Sequence, residues 1–384
     1  MKPCYSPANR KTGNGKERQS LFGLSRTKLH INLATVPSHE RVTVLLPVLN
    51  EAGRIDACLA ALCQQPEEVQ EVLVIDGGSK DGTQGIVQRH RAVDARVRLI
   101  DASPVDPRWT GKVWGLQRGL LSSSPKSDWI LCVDADVKVQ PQLVRSLLHH
   151  AQRSAVSIFS VATAQRLSGN LDALIHPAML TTLVYRFGSP GTATSNRHRV
   201  QANGQCFFAR REILLRTEAF RTAQGSLCED ITIVRRLAEC GEQIGFYESD
   251  GLVEVKMYGS WRETWNNWPR SLPMRDQYFG WRESIGLVGV LVFQALPMPT
   301  LLIGALIRLP LALLILPGIL SIIRLGVHFG VARAYPNRPW AYWLSPIADL
   351  PVVLRIIQCA LRRRHRWRGR IYRRGKGGVF EPVG

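Results

Sequence analysis

A chain of 384 residues exceeds one average domain and leaves room for a large domain plus an appendage. An apolar fraction of 45% is ample for a globular core, which excludes a wholly disordered chain. Lys and Arg outnumber Asp and Glu by 50 to 30, and the net charge of +20 points to an anionic partner, either nucleic acid or an anionic membrane face.

Residues 1–40 are polar and basic and lack the apolar core of a signal peptide, which predicts a disordered arm. From residue 41 onward strand and helix patterns alternate. Residues 42–47 form an apolar, β-branched run of buried-strand length that stops at Pro47. Asn50 follows as a candidate N-cap for a helix with Ile55, Leu59 and Leu62 on one face. Residues 69–76 predict a second strand ended by Gly77-Gly78, 81–91 a helix, 97–101 a third strand and 111–121 another helix. A fourth strand over 129–136 leads to a helix opening at Pro141, a favourable first-turn residue. Continuous apolar strands in repeated βα units predict an α/β fold with a parallel sheet covered on both faces. Right-handed crossovers then place every strand's C-terminal end on one edge.

Past residue 151 the alternation breaks. A strand is expected over 155–162 and an apolar helix over 171–187, interrupted by Pro177. Residues 188–199 are a polar loop rich in Gly, Ser and Thr, a length that suits a lid or binding loop. A helix over 228–240 is stopped by Gly241. Residues 285–307 carry no formal charge over 23 positions, enough to span ~30 Å of hydrocarbon. A second apolar stretch, 309–323, contains Pro317 and ends at Arg324. The two form a hairpin turning at Arg308-Leu309-Pro310, either spanning or re-entrant; a buried core hairpin is the bland alternative. Residues 340–361 carry Asp349 and Arg355, too polar for an easy span, and predict an interfacial helix anchored by Trp340 and Trp343.

Nine Lys or Arg lie between Arg362 and Lys376, and eight more precede the first strand. Beside apolar segments, such residues serve as anchors to acidic lipid, each contributing about 1 kcal/mol. A solvated tail is the bland reading. Nucleic acid is the disfavoured partner: such a surface interleaves Arg with aromatics, and the tail offers Trp367 and Tyr372. An even number of crossings would leave the sheet domain and the basic tail in the cytoplasm, as the positive-inside rule requires. The eight cysteines show no CxxC pair and no zinc-ligand spacing; several fall in apolar runs, where a reduced cysteine is a small core hydrophobe, and the main domain is expected in a reducing compartment.

Three acidic sites fall on the edge where open α/β sheets bind ligands. Asp76 ends the second strand before Gly77-Gly78-Ser79, a turn that suits a ribose but that also occurs in any Asp-Gly loop. Asp134 and Asp136, two apart at a strand end, can give oxygens to one hard cation that also takes phosphate and water. Such an ion stabilises a departing diphosphate by charge. Asp230 opens a helix, where an acid alone is more often a cap than a base.

The order of these features resembles family 2 glycosyltransferases of the GT-A fold, over roughly residues 42–272. The matching stretches are Pro47-Val48-Leu49-Asn50-Glu51, Asp76-Gly77-Gly78-Ser79-Lys80-Asp81-Gly82-Thr83, Val133-Asp134-Ala135-Asp136 and Glu229-Asp230. The resemblance implies a Rossmann-like, mixed but mostly parallel sheet. It places Pro47, Glu51 and Asp76 at the nucleotide, and Asp134 and Asp136 at the diphosphate of a UDP- or GDP-sugar and its Mg or Mn ion. Asp230 becomes the general base of an in-line, inverting transfer. Trp109-Thr110-Gly111-Lys112 with Trp114 is similar to the WxGK segment of hopanoid-associated and carotenoid glycosyltransferases, and puts Lys112 at phosphate. Ser345-Pro346-Ile347-Ala348-Asp349 and Trp367-Arg368-Gly369-Arg370-Ile371-Tyr372 resemble the tail of that group, with the carotenoid members favoured. No Gln-x-x-Arg-Trp of processive synthases occurs; Trp265-Asn266-Asn267-Trp268-Pro269-Arg270 stands in that region, and one sugar per acceptor is expected.

The expected organisation is an arm (1–40), a GT-A domain (41–272), membrane-associated helices (273–361, with a hairpin over 285–331 and an interfacial helix over 340–361) and a basic cytoplasmic tail (362–384). The acceptor is a membrane lipid, a carotenoid in first place and a hopanoid, polyprenyl phosphate or diacylglycerol in second. A catalytically inactive scaffold of the same fold is the reading from another class.

Overall fold

The computed structural model describes residues 38–367, 370–375 and 379–383. Most of the arm expected over 1–40 therefore lies outside the described residues. The first half alternates strand and helix: β1 (Val42–Val48), α1 (Ile55–Cys63), β2 (Val69–Asp76), α2 (Thr83–Val93), β3 (Val97–Asp101), α3 (Gly111–Ser122), β4 (Trp129–Val133). Then come β5 (Val137–Val139), α4 (Leu143–Ser154), β6 (Ile158–Ala162), β7 (Ala164–Gln165), α5 (Asn170–Phe187) and β8 (Thr192–Thr194). They are followed by β9 (Cys206–Arg210), α6 (Arg211–Arg216), α7 (Ala219–Thr222), α8 (Glu229–Glu239), β10 (Ile244–Glu248) and β11 (Val253–Val255). The last third is α9 (Trp261–Asn267), α10 (Trp281–Val290), α11 (Pro297–Leu306), α12 (Leu311–Val331), α13 (Asp349–Leu361) and strands β12 (Arg364–Trp367), β13 (Arg370–Arg374) and β14 (Phe380–Val383).

Eight strands make the main sheet in the order β3-β2-β1-β4-β9-β6-β10-β8. The four N-terminal strands pair in parallel, as their continuous apolar runs require. β9 runs antiparallel to both β4 and β6, and β8 antiparallel to β10, so the sheet is mixed. Two buried clusters cover its faces, one around Val44, Leu46 and Leu131, the other around Leu45, Ile75 and Ile130. α3 lies unusually close to the sheet: a Cβ on Gly119 would stand 2.8 Å from the Ile75 side chain. That approach fixes where α3 begins, and with it Lys112.

Several local expectations shift. The predicted fourth strand ends at Val133, and Asp134 to Asp136 form a turn before β5, which joins β11 and β7 in a separate small sheet. Asn50 is not a helix cap. It adopts a positive φ of 55°, accepts from Lys80 N at 2.8 Å, and its own N–H donates to Ser79 Oγ; α1 begins later, after Arg54. Pro177 does not interrupt α5, which runs unbroken through it. Within the loop expected over 188–199, Thr192–Thr194 pair with β10 as an edge strand. Cys58, Cys63, Cys132, Cys206, Cys228 and Cys359 are free thiols, as a reducing compartment implies, whereas Cys240 is disulfide-bonded, against that expectation.

The apolar hairpin forms where expected, with Arg308 at φ 55° in the turn between α11 and α12. Its first arm is bent by 41° between Trp281–Ala295 and Pro297–Leu306, where a proline and a short π-helical stretch disturb the hydrogen-bond ladder. Leu311–Ala334 is long and apolar enough to cross a membrane. So is Trp340–Leu361, which corrects the expectation that it is too polar to span. The charge that argued against it, Asp349, is buried against Arg324 of α12 at 2.6 and 2.9 Å and also accepts from Gln294. Neighbouring helices thus satisfy the two ions mutually. After α13 the chain turns back, and β12–β14 form an antiparallel sheet.

Candidate active site

Strand order puts the C-terminal ends of β1, β2 and β4 side by side, and helix starts α3 and α8 face them. Pro47, Glu51, Lys112, Asp134 and Asp136 line one cavity of about 120 Å³ there, with Gly77 and, from the C-terminal sheet, Tyr372. Asp76 lies just beneath it, almost fully buried. Its carboxylate accepts from Ser79 N and Oγ and from Gln84 Nε2, which locks the turn beneath the cavity. Asp81 and Thr83 extend the lock: Ala52 N donates to Asp81 Oδ2, and Glu51 N donates to Thr83 Oγ1. These bonds hold the Glu51 backbone against the β2 turn.

Lys112 is the hinge of the charge arrangement. Its Nζ stands 2.8 Å from Asp134 Oδ1 and 2.8 Å from Glu229 Oε1, joining the end of β4 to the start of α8. Burial would lower the lysine's pKa, but the two carboxylates outweigh it and hold the amine firmly protonated. Asp136 has weaker compensation. Arg54 is 3.8 Å away, and Asp136 Oδ1 is buried with no hydrogen-bond partner. Burial first, then the Asp134 charge, push its carboxyl up to about 6.

Asp230 faces a second, larger cavity of about 1060 Å³. Gly204 N donates to its Oδ2 at 3.1 Å and Ile231 N to its Oδ1 at 2.8 Å. Burial first, then the neighbouring Glu229, push its carboxyl up to about 6, while Lys112 and the two N–H groups act in the opposite direction. A carboxyl poised there titrates near neutrality, the range in which a general base works. From Asp230 the cavity passes Leu183 and Trp268 and reaches Ile323, Val327 and Val331 of α12. Its walls therefore join the polar site to the apolar hairpin.

The residues singled out in the sequence thus fall into two adjoining chambers, with Lys112–Glu229 between them. Gly188, Ser189 and Pro190 of the expected lid loop line the larger chamber, and its far end is tied to α10 by His198 Nδ1 and Glu283 Oε1 at 2.9 Å. Trp268 of the aromatic stretch is buried against His176 with ring centroids 4.2 Å apart. Two contributors carried no sequence signal that placed them at this site. Gly204 is one: a Cβ there would lie 3.0 Å from Lys112 Nζ, so glycine admits the lysine beside Asp230. Tyr372 is the other, remote in the chain and placed only by the return of β13. Glu229 belonged to a recognised motif, but its bridge to Lys112 depends on the α3–α8 contact.

Lys112 can meet an anionic phosphate, Asp134 and Asp136 can give oxygens to a cation that carries one, and Asp230 can accept a proton at a separate point. Residues 43–219 match the family model described as "Glycosyl transferase family 2". The 4,4'-diaponeurosporenoate glycosyltransferase of Staphylococcus haemolyticus is 24% identical over 224 residues, 57% of this chain and 57% of that protein. The succinoglycan biosynthesis protein ExoA of Rhizobium meliloti is 25% identical over 246 residues, 62% of this chain and 67% of that protein. Among solved structures, glucosyl-3-phosphoglycerate synthase from Mycobacterium tuberculosis in complex with Mg2+ and uridine-diphosphate is similar at a TM-score of 0.42 and 20% identity, covering 61% of this chain and 78% of that one. The chain spans less than two thirds of the length of the diaponeurosporenoate relative.

Proposed function

From the family 2 glycosyltransferase domain that residues 43–219 carry, we propose that the protein moves one sugar from a nucleoside-diphosphate sugar to a hydroxyl of an apolar, membrane-dissolved acceptor. The carrying observation is the larger chamber, which opens from Asp230 onto α12, a helix long and apolar enough to cross a membrane. A water-soluble acceptor would gain nothing from such a wall. A lipid entering between α5 and α12 reaches Asp230 without leaving an apolar surface.

In this reading the small chamber holds the donor. Pro47 and Glu51 contact the nucleoside, and the turn locked by Asp76 shapes the floor beneath it. Lys112 supplies positive charge to the diphosphate. The orphaned Asp136 oxygen, with Asp134 beside it, fits a divalent cation such as Mg or Mn. Among the described residues no group of three or more His, Cys, Asp or Glu is placed to hold a metal. Such a two-carboxylate site suits an ion that completes its shell with phosphate and water. That ion would neutralise charge developing on the departing diphosphate. Asp230 accepts the acceptor's hydroxyl proton as the acceptor oxygen attacks the sugar's anomeric carbon and that carbon's bond to the diphosphate oxygen breaks, while Gly204 N–H keeps the carboxylate aimed. The missing Gln-x-x-Arg-Trp and the enclosed acceptor chamber favour a single transfer.

A carotenoid is the favoured acceptor, supported by the tail motifs and by the name of the diaponeurosporenoate relative. Hopanoid, polyprenyl phosphate and diacylglycerol share the same apolar chemistry. The retained acids speak against an inactive scaffold. Deleting the gene and comparing pigments and polar lipids by mass spectrometry tests the choice: loss of one hexose or deoxyhexose from a carotenoid is expected, and unchanged pigments would contradict it.

The sheet domain precedes the helices and β13 returns to it, so both flanks lie on one side of the membrane. The number of full crossings is then even: two helices are long enough, and if the bent pair Trp281–Ala295 and Pro297–Leu306 counts as a third span, either it or the half-covered Trp340–Leu361 stays within one leaflet or at its surface. The positive-inside rule places the shared side in the cytoplasm.

A further inference from the structure

The chain following α13 does not trail away from the catalytic domain. It folds into β12–β14 and buries Tyr372, 3% exposed, in the wall of the chamber that also holds Lys112, Asp134 and Asp136. A second contact clasps the sheet down. Phe380 is buried, its N–H donates to Gly225 O at 2.8 Å, and Val379 packs on Gly225 so tightly that a Cβ there would meet its side chain at 2.2 Å. Gly225 lies shortly before Glu229 and Asp230, so one small sheet touches both the donor chamber and the loop leading to the base.

With the sheet in place the chamber measures about 120 Å³. Pockets that enclose a ligand of drug size run from about 300 Å³ upward, and a nucleoside-diphosphate sugar belongs to that class. We infer that the C-terminal sheet is an autoinhibitory cover on the donor site: with Tyr372 seated the nucleotide is excluded, and the sheet must lift for it to bind. This rests on the reading of the small chamber as the donor site. The short coil at Arg362 and Arg363, between α13 and β12, is the segment on which the cover would swing.

The clasp offers a lock outside the donor chamber. A Cβ on Gly225 falls 3.5 Å from the Cβ of Val379, inside the about 3.5–4.5 Å span of a disulfide. The Gly225→Cys/Val379→Cys double variant of the full chain, in detergent with Mg2+, should bind UDP or GDP at least tenfold more weakly when oxidised than when reduced. The Tyr372→Ala variant should bind the same nucleotide severalfold more tightly than the unaltered protein. Equal binding by oxidised and reduced forms would overturn the cover. Weaker binding by Tyr372→Ala would also overturn it, making the ring a wall of the nucleotide site. Absence of UDP and GDP binding in every form, the reduced and the unaltered included, would overturn the donor reading itself and the cover with it.

Discussion

Asp230 has to be a carboxylate to accept a proton, yet its surroundings favour the neutral acid. Burial and Glu229 hold its carboxyl up to about 6. Transfer should therefore fall about tenfold per pH unit below that value and level off above it, which a kcat–pH profile at saturating donor would read. The same group makes an opposed contribution to stability. A raised carboxyl pKa stabilises the fold fully below the unfolded value near pH 4, and that contribution is lost as pH rises through about 6. Asp230→Asn, uncharged at every pH, should abolish transfer while raising stability at pH 8 by up to about 3 kcal/mol, the worth of some two pKa units. Thermal unfolding checks this; a variant that is both inactive and less stable would show the carboxylate to be structural. Lys112 should behave in the other sense. Removing its charge in Lys112→Met leaves Asp134 and Glu229 facing each other, which should cost about 3 kcal/mol of stability. Donor KM should rise at least tenfold, because the diphosphate loses its cation partner. An unchanged donor KM would confine Lys112 to a structural tie.

At the scale of elements, the proposed acceptor route to Asp230 runs between α12 and α5, which both line the larger chamber. Gly326 of α12 lines the larger chamber, and a Cβ there meets nothing within 4 Å. Gly326→Leu should fit the helix and fill the chamber, raising acceptor KM severalfold while leaving donor hydrolysis unchanged. If acceptor kinetics do not move, the chamber is not the acceptor's route. The parallel strands and their helices were legible because each is a local pattern: the apolar runs over Val69–Asp76 and Val97–Asp101 are strands to the residue. The acids at β4 and α8 were legible because motif order survives in the chain. β9 was not, since its place between β4 and β6 is a pairing over long separation that five residues do not announce. The same holds for Asp349. As a lone charge it argued against a span, and only its partner Arg324, twenty-five residues earlier, removes the objection.

For the whole molecule, the membrane and the catalytic sheet form one device only if the chain returns to the side it left. Tyr372 and Val379 pack on the catalytic domain, so Arg262, before the apolar helices, and Arg363, after them, must share a membrane face. Single cysteines at these exposed positions, labelled in sealed vesicles with an impermeant reagent, should react from the same side. Labelling from opposite sides would require an odd number of crossings and would contradict the arrangement. The central claim, that sugar passes from a soluble nucleotide to an acceptor drawn from the bilayer, is open to one direct measurement. Membranes bearing the full chain are incubated with radiolabelled UDP- or GDP-sugar and Mg2+, then extracted into organic solvent. Label should enter the pigment or lipid fraction in the unaltered protein and not in Asp230→Asn. Label confined to water-soluble products, or equal in both proteins, would contradict the account.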